Sequence, residues 1–147
     1  MPSRVLIICY GNRLRADDAF GWRVAERLLA RNLAPGAEVL AMHQLVPELM
    51  DTLSEAELAV FVDAAANAEP GALTERVVEP RPPSRASFTH HSTPEGLLAG
   101  ALSLFGHAPR AFMVSVAGAD FSCSEDLSPL VESRIDDAIQ IILRLIA

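Results

Sequence analysis

Residues 10–21, YGNRLRADDAFG, place an amide, two arginines and two adjacent carboxylates directly after an apolar run. The amide is Asn12, and the carboxylates are Asp17 and Asp18. Such a segment can cap a helix, hold a phosphate or bind a cation. Acids at a helix N-terminus stabilise it by about 0.3–1 kcal/mol, so capping explains one of the acids. It does not explain two acids together with Asn12.

Two other chemistries have little support in the sequence. The segment holds only Gly11 and Gly21 as glycines, so it matches neither a P-loop nor a dinucleotide fingerprint, and paired aspartates would repel phosphate. The chain has no G-x-S-x-G or H-E-x-x-H motif, and nothing marks Cys123 as an activated thiol. Cys9 lies in the apolar run, where a buried structural thiol is expected.

A cation site gains support from two further segments. Asp63 follows the apolar stretch Val-Phe-Val, and the pair His90-His91 precedes a helix start. Two aspartates and a histidine from three loops can bind Zn²⁺ or Ni²⁺ and leave positions open for water or substrate. Each residue also has a structural interpretation: Asp63 can belong to a loop, and either histidine can be a loop residue or a substitute cap.

The remaining polar candidates are two histidines and three arginines. His43 follows the second strand, where it either lines the same cleft or has a structural role, and His107 is expected in a surface loop. Arg13, Arg15 and Arg23 either contact an acidic partner or form a solvated face.

Hydrophobic periodicity predicts the elements that must position these residues. The predicted strands are Arg4–Cys9, Glu38–Met42, Leu58–Val62, Leu73–Val78 and Ala111–Val116. The predicted helices run over Asp18–Arg31, Pro47–Glu57 and Pro94–Phe105, with a last helix from Pro129 onward that buries Val131, Ile135, Ile139, Ile142 and Ile146. In the first helix Phe20, Val24, Ala25, Leu28 and Leu29 are expected to face inward.

This alternation predicts an α/β fold, a mostly parallel sheet with helices on both faces and a more exposed, antiparallel fourth strand. Ligands bind beyond the carboxyl ends of the strands in such sheets. Asn12 and Asp18 follow the first strand and Asp63 is expected to end the third, so these side chains can be neighbours.

Composition limits the class of protein. The chain has 147 residues, of which 50% are hydrophobic and 21% charged, as expected for one packed domain over residues 1–147. A net charge of −7 argues against nucleic-acid and anionic-membrane partners. No apolar stretch approaches the roughly 20 residues of a membrane span, and nothing suggests secretion, so a cytoplasmic monomer is expected.

Five stretches, in order, together resemble the nickel–iron hydrogenase maturation endopeptidases. They are VLIICYGNRLRADDAFGWRVAERL, HQLVPEL, VFVDAA, THHSTPEGLLAGALSLFG and PRAFMVSVAGADFSCSEDLSP, and they span nearly the whole chain. The resemblance implies a three-layer sandwich around a five-stranded twisted sheet, of the phosphorylase/hydrolase-like type.

The resemblance also implies a site and an activity. The family's metal-contacting residues correspond to Asp18, Asp63 and His91, with His90 as the alternative histidine, and Asp17 becomes a capping or supporting acid. Family members remove a C-terminal peptide from the hydrogenase large-subunit precursor after nickel insertion. The nickel is supplied by the precursor, and no organic cofactor is implied.

Two other functions fit the same ligands. One is a noncatalytic nickel-binding or metallochaperone module for hydrogenase assembly, which would bind the loaded precursor without shortening it. The other is a self-contained metallohydrolase, which would bind zinc tightly and cleave generic peptides.

Overall fold

The structure is a computed structural model and describes residues 4–66, 68–82 and 92–147. The strands are β1 (Val5–Tyr10), β2 (Ala37–Met42), β3 (Leu58–Ala65), β4 (Leu73–Val78) and β5 (Arg110–Ala117). The helices are α1 (Phe20–Leu29), α2 (Leu49–Ser54), α3 (Pro94–Phe105), α4 (Pro129–Glu132) and α5 (Ile135–Ile146), and a 3₁₀ turn at Ala16–Ala19 precedes α1.

The five strands form one sheet in the order β2-β1-β3-β5-β4. Three of the four strand pairs are parallel, and β4 pairs antiparallel with β5 at the edge. The predicted α/β fold and its antiparallel fourth strand are therefore confirmed. Residues 6–9 of β1 are all fully buried, as expected for a central parallel strand that is covered on both faces.

Two separate hydrophobic clusters lie on the two faces of the sheet. One joins the sheet to α1 and α5, through residues such as Phe20 and Ile139. The other joins it to α2 and α3, through Leu53 and Leu97. The molecule thus has the three predicted layers. No helix among the residues described is long and apolar enough to cross a membrane.

Several predicted element boundaries were right. The α3 helix begins after Thr93, whose Oγ1 accepts a hydrogen bond from the Gly96 amide at 3.0 Å, and it ends at Gly106, which has φ 80°. The β4 boundaries match the prediction, and α2 buries Leu49 and Leu53.

Helix α1 differs from its prediction at both ends. Asp17 and Asp18 lie in the 3₁₀ turn before it, and the helix stops at Leu29. Leu29 was predicted to face inward but is 66% exposed. Leu29 lies one turn after the buried Ala25, but it is the last residue of α1 and does not belong to the hydrophobic cluster on that face.

The last helix was predicted as continuous but is divided into α4 and α5. The Ser133 hydroxyl donates to the Leu130 carbonyl at 2.6 Å, and the Arg134 amide bonds to the Val131 carbonyl, three residues back. These local bonds replace part of the regular i to i−4 ladder. Residues Val131, Ile135, Ile139 and Ile142 still form the predicted buried stripe, whereas Ile146 is half-buried.

Two elements differ in length near the functional residues. Helix α2 is shorter than the predicted Pro47–Glu57, and β3 continues to Ala65 instead of stopping at Val62. The extension is stabilised by β5, since Asp63 pairs with Ser115 and the register continues to Ala65 with Ala117. Asp63 was predicted to end its strand but lies within it.

Candidate active site

Asp18 is held at the carboxyl end of β1 by a tight return of the chain. Gly11 has φ 148°, and a Cβ atom there would collide with the backbone carbonyl oxygen of Asp18, so only glycine fits. The backbone N–H of Asn12 donates to Oδ2 of Asp18 at 2.8 Å, and the side-chain Oδ1 of Asn12 accepts from the backbone N–H of Leu14 at 2.9 Å. Asn12 therefore braces the turn that carries Asp18.

Asp63 lies between side chains from both neighbouring strands. The Tyr10 hydroxyl on β1 donates to Oδ2 of Asp63 at 3.0 Å. Ser115 is its register partner on β5, and the interaction with Ser115 lowers the pKa of Asp63. These contacts orient Asp63 at the carboxyl edge of the sheet.

Close packing of α1 brings the two carboxylates together. A Cβ atom at Gly21 would lie 2.9 Å from the backbone N and O of Tyr10 and 3.0 Å from the Val62 carbonyl oxygen. The missing side chain therefore lets α1, with the Asp18 turn before it, approach the ends of β1 and β3. A glycine three residues after Asp18 is therefore what allows α1 to pack this closely.

The raised pKa of Asp63 indicates that its surroundings would suit a bound cation. Burial raises the pKa of Asp63 above its usual range, and the negative charge of Asp18 raises it further. Hydrogen bonds from Ser115 and Tyr10 and the positive charge of Arg76 partly oppose this rise. The two carboxylates are thus close enough to repel, and a cation between them would offset both the burial and the repulsion.

Two residues that were not predicted as part of the site, Tyr10 and Arg76, lie around Asp63, and a third, Glu95, pairs with Arg76. Arg76 on β4 forms an ion pair with Glu95 in the first turn of α3, Nη1 to Oε1 at 2.8 Å. Burial and the Asp63 charge raise the pKa of Tyr10 strongly, so its hydroxyl stays a donor. Tyr10 could have been found from its position at the end of β1, directly before Gly11.

Asp17 does not cap its own helix, which corrects that prediction. Its side chain is fully buried. Oδ2 accepts from the Ala119 amide at 2.7 Å, the Asp120 amide at 2.8 Å and the Ser128 hydroxyl at 2.9 Å. Oδ1 accepts from the Ser128 amide at 2.7 Å. The supporting role predicted for Asp17 is confirmed, because it fastens the segment after β5 to the turn that carries Asp18.

The histidine predicted to complete the site, His91, and its alternative His90 lie outside the described residues. Within residues 4–66, 68–82 and 92–147, no group of three or more His, Cys, Asp and Glu side chains is placed to hold a metal ion. The structure therefore brings Asp18 and Asp63 together, and the third ligand stays a prediction.

His107 and Cys9 lie as expected, and His43 has the cleft position that was one of its two interpretations. His43 lines a cleft with Asn12 and Ala19, beside Asp18. His107 is exposed at the opposite edge of the sheet, with Nε2 2.8 Å from the Ala56 carbonyl oxygen. Both cysteines are free, and burial raises the pKa of Cys9 to about 12, which leaves this thiol unreactive.

Solved structures show the same fold over nearly the whole chain. The hydrogenase maturating endopeptidase HybD from E. coli matches with a TM-score of 0.78 and 25% identity, covering 96% of this chain and 90% of that one. The hydrogenase 2 maturation peptidase from a Thaumarchaeota archaeon matches with a TM-score of 0.74 and 25% identity, covering 99% of each chain. The NiFe hydrogenase maturation protease HycI from Thermococcus kodakarensis matches in fold, with a TM-score of 0.74 and 24% identity, covering 97% of this chain and 92% of that one.

No protein-family model matches the chain, and no curated protein matches it significantly at the level of sequence. The structural neighbours nevertheless confirm the family resemblance predicted from the five motifs. They also confirm the predicted class of enzyme, a peptidase.

Proposed function

We propose that this chain, whose structural relatives are hydrogenase maturation endopeptidases, removes the C-terminal extension of a nickel-loaded NiFe-hydrogenase large-subunit precursor. The observation that carries the proposal is the pairing of two carboxylates, Asp18 and Asp63, at the carboxyl edge of a parallel sheet. Ligands bind at this edge in α/β folds, and oxygen ligands from two separate segments suit a metal ion.

The nickel belongs to the precursor in this proposal. Asp18, Asp63 and His91 supply three ligands, and cysteines of the precursor complete the coordination. Such a site would bind a loaded precursor and reject an empty one, because only the loaded precursor offers the ion. Water oriented by the ion or by one of the carboxylates would then attack the scissile carbonyl carbon.

The proposal is tested by the intact mass of the cognate precursor after incubation with this protein, with and without nickel loading. We expect a shortened product in the nickel-loaded sample only. Binding of the loaded precursor without shortening would favour the noncatalytic nickel-binding module. Cleavage in both samples would show that nickel is not the element recognised, and cleavage of generic peptides after zinc addition would favour a self-contained metallohydrolase.

The Tyr10 hydroxyl gives a further test. Tyr10→Phe keeps the ring and its packing but removes the donor to Asp63. We expect processing to slow by about 10- to 100-fold, as is typical when a partner that orients a metal ligand is lost. Single-turnover cleavage of the loaded precursor measures the rate, and the urea midpoint reports the fold. Wild-type rates in a folded variant would contradict the positioning role.

The precursor is the only partner in this proposal. A monomeric state and a cytoplasmic location remain predictions. Sedimentation at the concentration of the cleavage assay tests the first of them.

A further inference from the structure

A second binding region lies beside the carboxylate pair. A cleft of about 700 Å³ is lined by residues that include Asn12, Arg13, Ala19, Trp22 and Arg23. The backbone amide of Asn12 donates to the Asp18 carboxylate and Ala19 follows Asp18, so the cleft lies beside the turn that carries Asp18. Its volume falls within the range of about 300–1,000 Å³ found for ligand sites.

Arg13 stacks on the Trp22 ring at this cleft. The Trp22 Nε1 donates to the Gly11 carbonyl at 2.9 Å, which fixes the indole ring. The Arg13 Cζ lies 4.6 Å from the centroid of that ring. A guanidinium stacked on an aromatic face keeps its N–H groups directed outward in one plane, where they match the two oxygens of a carboxylate.

The charge of the cleft contrasts with that of the whole chain. The chain carries a net charge of −7, whereas Glu125 is the only acid that lines the cleft with Arg13, Arg23 and His43 among the described residues. Arg23 is already engaged, with Nη1 3.3 Å from Oε1 of Glu26 and Nη2 donating to the Glu125 carbonyl. Arg13 has no ion-pair partner within the part of the chain that the structure describes.

Arg15 does not belong to this region. Its Cζ lies 6.0 Å from the ring centroid of Phe121, in the segment after β5. The structure thus separates the three arginines near the N-terminus: Arg13 and Arg23 line the cleft, and Arg15 lies elsewhere.

We propose that this cleft binds a carboxylate on the C-terminal extension of the precursor, and that Arg13 determines this specificity. The inference rests on the proposed function. The nickel and its cysteines would hold the precursor on one side of the scissile bond. The cleft, as a second binding region near the nickel, would then hold the precursor on the other side of this bond, where the extension begins. The carboxylate is either an Asp or Glu side chain or the terminal carboxylate itself.

Binding can be measured without turnover because Trp22 is the only tryptophan in the chain. The probe is a tryptophan-free synthetic peptide spanning the cleavage site and extension of the cognate precursor. It is compared with a C-terminally amidated form and with a form whose Asp and Glu are replaced by Asn and Gln. We expect saturable change in Trp22 fluorescence, and neutralising the recognised carboxylate should weaken Kd about tenfold, as for one charge-assisted contact.

Arg13→Gln should weaken binding of the native peptide by a similar factor. Neutralising the peptide carboxylate should then have little further effect on this variant, because the two changes remove the same contact. Arg31→Gln is the matched control, since Arg31 is exposed at the end of α1 and does not line the cleft. With the loaded precursor, Arg13→Gln should raise KM about tenfold, with a smaller effect on kcat.

Equal binding of the native and fully neutralised peptides would overturn the proposal, as would the absence of saturation or an Arg13→Gln variant with unchanged Kd and KM. These outcomes leave the endopeptidase proposal standing if the loaded precursor is still shortened. Conversely, charge-dependent binding with no cleavage would support the cleft and refute the endopeptidase.

Discussion

Asp18→Asn and Asp63→Asn are each expected to abolish processing of the nickel-loaded precursor. Asparagine keeps the size of the side chain but removes the negative charge that would hold the ion. We expect a rate loss of at least about 10³-fold, the upper range for deleting one preorganised electrostatic contact in an active site. His91→Ala should have an effect of the same size. The fraction of shortened precursor, followed by intact mass over time, measures each rate.

These losses should occur without unfolding. Burial raises the pKa of Asp63, so its ionised form is costly in the folded state, and Asp63→Asn should change the free energy of unfolding by no more than about 1 kcal/mol. Asp51→Asn, at an exposed acid on α2, and His107→Ala are matched controls and should process normally. A folded Asp63→Asn variant with wild-type rates would show that this carboxylate is not part of the site.

The sequence predicted the parts of the fold that follow from local pattern. The apolar run of β1 and the four-residue spacing of Phe20, Val24 and Leu28 each depend on neighbours along the chain, and their burial is confirmed. The ends of the elements were predicted less accurately where they depend on pairing between strands that are distant in the sequence. The extension of β3 past Asp63 depends on β5, about fifty residues later, and no local signal encodes that register.

The candidate site, like the fold, could be predicted only in part. Asp18 and Asp63 follow from the rule that ligands meet at the carboxyl edge of a parallel sheet. Arg76 was not predictable, because its position beside Asp63 depends on antiparallel pairing of the edge strand β4. The partners of Asp17 lie more than a hundred residues away, so its adjacency to Asp18 favoured helix capping instead.

Asp17→Ala is expected to be the most destabilising substitution near the site. It would leave the backbone amides of Ala119, Asp120 and Ser128 and the Ser128 hydroxyl without their acceptor. Asp17 is fully buried. Buried donors left unpaired each cost about 1–3 kcal/mol, and partial relaxation of the segment should limit the total loss to about 3–5 kcal/mol. Urea unfolding followed by far-ultraviolet circular dichroism measures it.

Asp126→Ala is the matched control, because Asp126 is an exposed acid in the same segment and should change the free energy of unfolding by less than about 0.5 kcal/mol. A loss of comparable size in both variants would contradict the anchoring role of Asp17. Asp17→Ala should also keep much of its cleavage rate per folded molecule at low temperature, whereas Asp18→Asn should be folded and inactive. That contrast would show that two adjacent acids have separate tasks: Asp17 fastens the turn, and Asp18 faces the ion.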